Sequence, residues 1–179
     1  MARVLVPIAD GSEELEAVTL IDLFRRAGFE VVVAGIKHGP VTCSRGVVVA
    51  PDAELDAVAE DEFDVVVLPG GAAGADRLGQ DERLQRLLAR HRDADGWTAA
   101  ICAAPGLLAQ QGLLAGRRAT AFPGALEAVG ASSTGEAVEF DGRVATSRGP
   151  GTAMDFALDL IEPLASRECR EQVEARLQR

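Results

Sequence analysis

An α/β architecture, a mostly parallel sheet with helices on both faces, is what this sequence predicts. Three observations carry that expectation. Short unbroken apolar runs rich in valine alternate with amphipathic stretches, the pattern of buried parallel strands joined by crossover helices. Apolar residues make up 47% of the chain while aromatics supply only 4%, with no tyrosine, so Ala, Val and Leu must fill the core. At 179 residues the chain fits one domain that can bury such a core without disulfide or metal staples.

Taken in order, Val4–Ile8 reads as a buried strand. Glu13–Ala27 follows as a helix, with Leu15, Val18, Leu20, Ile21 and Phe24 on its apolar face and Gly28 as its stop. Phe29–Gly35 is the next strand. Val41–Ser44 and Val47–Ala50 form a hairpin turning at Arg45-Gly46. Asp64–Leu68 is a third core strand, and it ends in a glycine loop, Pro69-Gly70-Gly71-Ala72-Ala73-Gly74. Residues 81–92 carry Leu84, Leu87 and Leu88 at helical spacing. An apolar strand then runs into Cys102, followed by a helix over Ala104–Gln111 and a short strand at Ala119–Ala121. A second hairpin is expected around Asp141-Gly142, and helices over Thr152–Leu164 and Glu168–Leu177 close the chain. No linker, repeat or low-complexity tract interrupts this order. The expectation is a doubly wound, flavodoxin-like sheet, whose ligands gather at the carboxyl ends of the strands.

Composition excludes several function classes. A net charge of −10 argues against a nucleic-acid footprint or attachment to an anionic membrane. No apolar run reaches the ~18 residues of a membrane span, and the chain enters its first strand without a signal-peptide pattern, so a cytoplasmic location is expected. The three cysteines, Cys43, Cys102 and Cys169, are odd in number and widely spaced, and only two histidines are present. Neither a disulfide framework nor a metal site is expected.

The most informative segment is Trp97–Leu108. A buried strand stops at Cys102, Ala100 and Ala104 stand two places to either side, and a helix starts at once near Pro105. A strand turning directly into a helix leaves little room beside the turning residue, so small neighbours are needed. This is a nucleophile elbow with sulfur in place of the serine oxygen. Backbone N–H groups and the helix dipole at that point favour negative charge, by up to ~2 kcal/mol. Applied to a free thiol near pH ~8.5, that brings Cys102 to roughly pH 7. The alternative is an inert buried cysteine; the elbow context argues against it.

The other candidates gather around this sulfur. The glycine loop lacks the Lys-Ser/Thr of a phosphate-binding loop. A better use is close approach, with the N–H groups of Gly71 and Ala103 aimed at an oxyanion beside the sulfur. Glu13, Glu14 and Glu16 open the first helix, where acidic residues also simply complement the dipole. If one of them reaches Cys102, two charges ~4 Å apart repel by ~4 kcal/mol at an effective dielectric of ~20. That glutamate should then be protonated and donate a hydrogen bond. Spacing does not choose among the three. His38 and His91 read as solvated.

Several blocks in this order resemble the ThiJ/PfpI superfamily, in particular the group of the parkinsonism-associated protein deglycase and bacterial YajL. They are Gly11–Val18, Arg25–Gly28, Cys43–Arg45, Val65–Gly71, Ala99–Pro105 and Thr146–Thr152, so the similarity covers nearly all of residues 1–179 as a single domain. The resemblance implies a homodimer with a flavodoxin-like sheet and a reactive elbow cysteine, Cys102. It matches Glu16 to a protonated glutamate on that sulfur, and Gly71 and Ala103 to oxyanion donors. It matches Arg45, and Arg26 reaching from a partner subunit, to basic groups at the pocket. It also implies cofactor-independent action on small 2-oxoaldehydes or their protein adducts, of glyoxalase or deglycase type, with a cysteine that oxidises to sulfinate. The alternative it carries is a redox-responsive stress protein with holdase activity toward unfolded clients. Ala103 stands where PfpI-type proteases have histidine, Phe122 where the parkinsonism-associated protein has a pocket histidine, and Ala50 where it has a second cysteine.

Overall fold

The computed structural model describes residues 1–179. Its centre is a seven-stranded sheet built from β1 (Arg3–Ile8), β2 (Glu30–Gly35), β5 (Ala53–Glu54), β6 (Val65–Leu68), β7 (Trp97–Ile101), β8 (Val138–Asp141) and β9 (Val144–Ser147). The order is β5-β2-β1-β6-β7-β9-β8, parallel throughout except where β8 pairs antiparallel with β9 at one edge. A separate two-stranded hairpin, β3 (Val41–Thr42) with β4 (Val48–Val49), stands beside it. The expected doubly wound sheet is present.

Alternation along each strand builds two cores. Val4, Val6 and Ile8 of β1, with Val65 and Val67 of β6, face α1 (Glu14–Arg26) and α6 (Ala153–Leu164), with α7 (Arg167–Leu177) packed behind through Val173. Leu5, Val66, Leu68 and Ala100 face the other way, toward α2 (Leu55–Val58), α3 (Ala72–Gln80), α4 (Glu82–Asp93) and α5 (Ala104–Gln110). Burial on both faces explains why these strands read as continuous apolar runs. The chain leaves β1 toward β2 on one side and leaves β6 toward β7 on the other. Between β1 and β6 the winding therefore reverses, and a crevice opens at the carboxyl ends.

Four expectations need correction. No strand forms at Ala119–Ala121, because the Thr120 N–H donates to the Thr146 side-chain hydroxyl (2.9 Å) rather than to a neighbouring backbone. The glycine loop is shorter than it reads, since α3 begins at Ala72 and uses the small residues as helix. Leu15 and Val18 do not join the core; they lie about half exposed on the outer side of α1, while Ala17, Leu20, Leu23 and Phe24 face inward. His91 is buried, its Nε2 within 2.7 Å of the Trp97 carbonyl, and burial lowers its pKa below the ordinary value. Gly28 ends α1 as expected, at a φ of 80°.

Candidate active site

Three strand ends meet at the crevice, each supplying one part of the site. β7 delivers Cys102, which turns the chain into α5 with no loop between them. Its φ of 65° lies in the left-handed region, a strained choice for a residue with a side chain, costing of order 1–3 kcal/mol. The backbone holds that strain from both sides. The Cys102 N–H donates to the Ser147 carbonyl (2.9 Å), and the Cys102 carbonyl accepts from the Phe122 N–H (2.8 Å). The elbow is therefore present, as its small neighbours implied.

β6 supplies the donors. The N–H groups of Gly71 and, from the elbow itself, Ala103 lie near enough to the Cys102 sulfur to favour its charged form. Gly71 adopts a φ of 85°, and a Cβ there would stand 2.2 Å from the Gly11 carbonyl oxygen. Gly70 is the residue that sequence reasoning missed. A Cβ on it would fall 2.6 Å from the Cys102 Cβ and 2.7 Å from a Glu16 carboxylate oxygen. Its signal was the doubled glycine after Leu68, visible but not assignable to one position.

β1 leads into α1, where the three glutamates divide. Glu16 is fully buried and reaches the sulfur, and its Oε2 accepts from the Gly70 N–H at 2.8 Å. Its Oε1 is buried with no hydrogen-bond partner, and the Cys102 thiol lies close enough to influence its ionisation. Glu14 instead clamps the β3–β4 hairpin, taking the Ser44 hydroxyl (2.9 Å) and the Arg45 N–H (2.8 Å). Burial works against its ionisation, but those donors outweigh it and hold the carboxyl below its usual value. Glu13 also binds the Ser44 hydroxyl (2.8 Å) and stands at the cavity wall.

The thiol does not titrate as the dipole argument alone expected. Burial pushes Glu16 up to about 7. Burial, with the Glu16 charge and hydrogen bond added, pushes Cys102 up to about 12, against the two N–H donors. The two groups form one titrating unit that holds a single proton between those limits. The thiol therefore does not titrate near 7 as expected; the group that desolvation brings to about 7 is Glu16.

The sulfur opens into a cavity of about 580 Å³, lined by Arg45 as well as Gly71, Ala103 and Phe122. Phe122 is half exposed at the mouth. Arg26 is not brought there: it is absent from the cavity lining of this chain and pairs with Asp22 one turn earlier on α1 (2.6 Å). No cluster of side chains able to hold a metal ion is present, and no helix is long and apolar enough to cross a membrane.

Comparison with known proteins gives a consistent answer. The model of the DJ-1/PfpI family matches residues 2–163. The protein dj-1beta of Drosophila melanogaster is 43% identical over 173 residues, covering 94% of this chain and 92% of its own. The glutathione-independent glyoxalase DJR-1.2 of Caenorhabditis elegans is 34% identical over 169 residues, covering 93% and 90%. The structure of oxidized Toxoplasma gondii DJ-1 superposes with a TM-score of 0.94 at 39% identity, covering 99% of this chain and 98% of that one.

Proposed function

This chain belongs to the DJ-1/PfpI family, and from that premise we propose that it is a cofactor-independent enzyme acting on small 2-oxoaldehydes. The observation that carries the reading is the placement of one buried sulfur between two N–H donors and one buried carboxyl, open to a cavity. With a single proton on the pair, the charge belongs where donors meet it. The sulfur has two N–H groups, whereas Glu16 has one, and its Oε1 is free to carry the proton toward the sulfur.

In that form the Cys102 thiolate adds to the aldehyde carbon of methylglyoxal. The resulting oxyanion is held by the Gly71 and Ala103 N–H groups and takes the proton of Glu16. Glu16, now a carboxylate, removes the hydrogen on the former aldehyde carbon while the hydroxyl proton passes to the former ketone oxygen, and an enediolate forms. Return of that proton to the neighbouring carbon leaves a lactoyl thioester on Cys102. Water hydrolyses the thioester to lactate and restores the thiolate and the protonated Glu16. Arg45 at the cavity wall offers a counter-charge to the leaving carboxylate. The glyoxalase name of the nematode relative supports this assignment. The same sulfur is placed for oxidation, and its donors suit a sulfinate as well as an oxyanion. The oxidized Toxoplasma relative supports that second property, on which a redox-responsive holdase role would rest.

Replacing Glu16 by Gln tests the proton assignment. Turnover of methylglyoxal to lactate should fall by about 10²- to 10³-fold, the range of one general acid–base group. Alkylation of Cys102 by iodoacetamide at neutral pH should persist or quicken, because the Gln amide still offers a donor to the sulfur and never carries a negative charge. Loss of both would sink the assignment. Stability supplies the sign check. The folded pair keeps, up to about 7, a proton that the unfolded glutamate gives up near 4.5. Stability is therefore full below the unfolded value and declines as pH rises through about 7, by roughly 3 kcal/mol at most. Urea titrations between these limits should show that slope in the wild type and a flat line in Glu16→Gln.

A homodimer completes the proposal. Leu15, Val18, Val47 and Val48 are each about half exposed or more, and Glu14 ties the hairpin that bears the last two to the start of α1. Apolar side chains grouped on one face in this way suit a contact with a second copy. That arrangement would also give Arg26 a pocket to reach, in the partner. Val18→Glu should convert a dimer to a monomer in sedimentation velocity without lowering helical content; a wild-type monomer would refute the assignment.

A further inference from the structure

The cavity holding Cys102 exceeds the needs of a three-carbon aldehyde, lying in the range of about 300–1,000 Å³ typical of sites for drug-sized ligands. It also has a direction. α3 and α5 both start at the donors around the sulfur and run away from it side by side. Ala72, Ala75 and Gly79 line it from α3, and Gly106, Leu107 and Gln110 from α5. Gly79 and Gly106 let these walls approach closely, a Cβ on the first meeting Leu107 at 3.3 Å and on the second the Ala125 carbonyl oxygen at 3.0 Å, and Phe122 and Ala125 line the same cavity. At ~1.5 Å per residue, Ala103 to Gln110 spans roughly 10 Å of it.

At the far end a second cavity, of about 420 Å³, shares Gly79 and Gln110 with the first. Its lining is polar, with Gln85, Gln111 and Arg92 among its residues. Gln111, whose buried amide nitrogen has no hydrogen-bond partner, is among the residues that line it. An unpaired buried donor is costly, so this position calls for an acceptor. The Arg92 guanidinium, half exposed and shared only with Asp93, favours an anionic one. From the sulfur outward the groove thus offers a nucleophile, an apolar run and an acceptor-binding end.

We propose that this groove is a subsite for linear carbonyl compounds whose chain ends in a carboxylate. An extended chain covers about 3.3–3.6 Å per three atoms, so a carbonyl at Cys102 places the carboxylate near Arg92 and Gln111 after roughly eight or nine atoms. The substrate class rests on the reading of Cys102 as a carbonyl-directed nucleophile; ligand capture by the groove does not.

Calorimetry on the full chain with unreactive methyl-ketone acids of two to eight methylenes, beside the matching alkanones, tests this directly. Affinity should rise about threefold per methylene along the apolar run. The terminal carboxylate should add about tenfold for the longest members alone, and Arg92→Ala should remove that gain while sparing the length dependence. Gly79→Leu, which fills the junction of the two cavities, should flatten the length dependence for the longer ligands. Affinity indifferent to chain length, or a carboxylate gain that survives Arg92→Ala, would overturn the proposal. Lactate formation from methylglyoxal on the same preparations separates the two readings. Turnover with flat binding sinks the groove and leaves the enzyme; length-dependent binding without turnover upholds the groove and sinks the enzyme.

Discussion

Cys102→Ser is expected to reduce lactate formation from methylglyoxal by roughly 10³-fold or more, the largest effect of any single change in this chain. The reason is electrostatic. In the proposed mechanism the site holds one negative charge on a polarisable sulfur beside the Gly71 and Ala103 N–H groups, with Glu16 as its proton partner. A serine hydroxyl in the same place keeps its proton, because it is a far weaker acid than a thiol and the nearby Glu16 carboxyl is too weak a base to take it. His91 is the only buried histidine, and it is committed to the Trp97 carbonyl. The fold should tolerate the exchange, with stability within about 1 kcal/mol, or about 2–4 °C in melting temperature. Cys169→Ser is the matched control: that residue lies against the carbonyl of Ala27, away from the cavity lining, and its replacement should leave turnover intact. Full activity in Cys102→Ser would exclude the mechanism.

Gly70→Ala should come second, and it damages both stability and chemistry. The added methyl meets the Cys102 Cβ at 2.6 Å, Glu16 Oε2 at 2.7 Å and the Ile101 carbonyl oxygen at 2.9 Å. None is the loose end of a flexible side chain: one belongs to the strained elbow, one is a buried carboxyl, one is backbone. Overpacking of this kind costs about 1–3 kcal/mol. At 2–4 °C per kcal/mol for a chain of this size, a melting-point drop of about 2–12 °C is expected. Turnover should fall by about 10²-fold, since the sulfur and its proton partner are pushed apart on the scale of an ångström. Gly28→Ala separates this from backbone strain. Gly28 has a φ of 80° but open space around it, so its replacement should cost about 1 kcal/mol and leave kcat unchanged. Equal damage from both substitutions, read by calorimetry and initial rates, would mean that the close approach at Gly70 is unimportant.

Much of this site could be read before any coordinates. The elbow at Cys102 followed from small residues flanking a strand-to-helix junction, and the nearness of Gly71 and Ala103 to it followed from the close approach that a glycine loop allows. The choice among Glu13, Glu14 and Glu16 could not be made that way. All three sit in the first turn, and a helix presents them in three directions. What separates them is whichever neighbours the fold places there: the sulfur for Glu16, the Arg45 turn for Glu14, the cavity wall for Glu13. Leu15 and Val18 misled for a related reason. Apolar spacing marks a face to be buried, yet it does not say whether this chain or another covers it.

The order of strands and helices, the doubly wound class and the position of the elbow cysteine were determined by the sequence alone, because each rests on local periodicity and on the room that neighbouring residues leave. Only the tertiary structure decided the titration of Cys102, the role of Gly70 and the groove between α3 and α5. Burial and close approach depend on segments far apart in the chain, as when Gly70 meets Glu16 across 54 residues. A pattern of near neighbours cannot contain the desolvation that such a meeting creates.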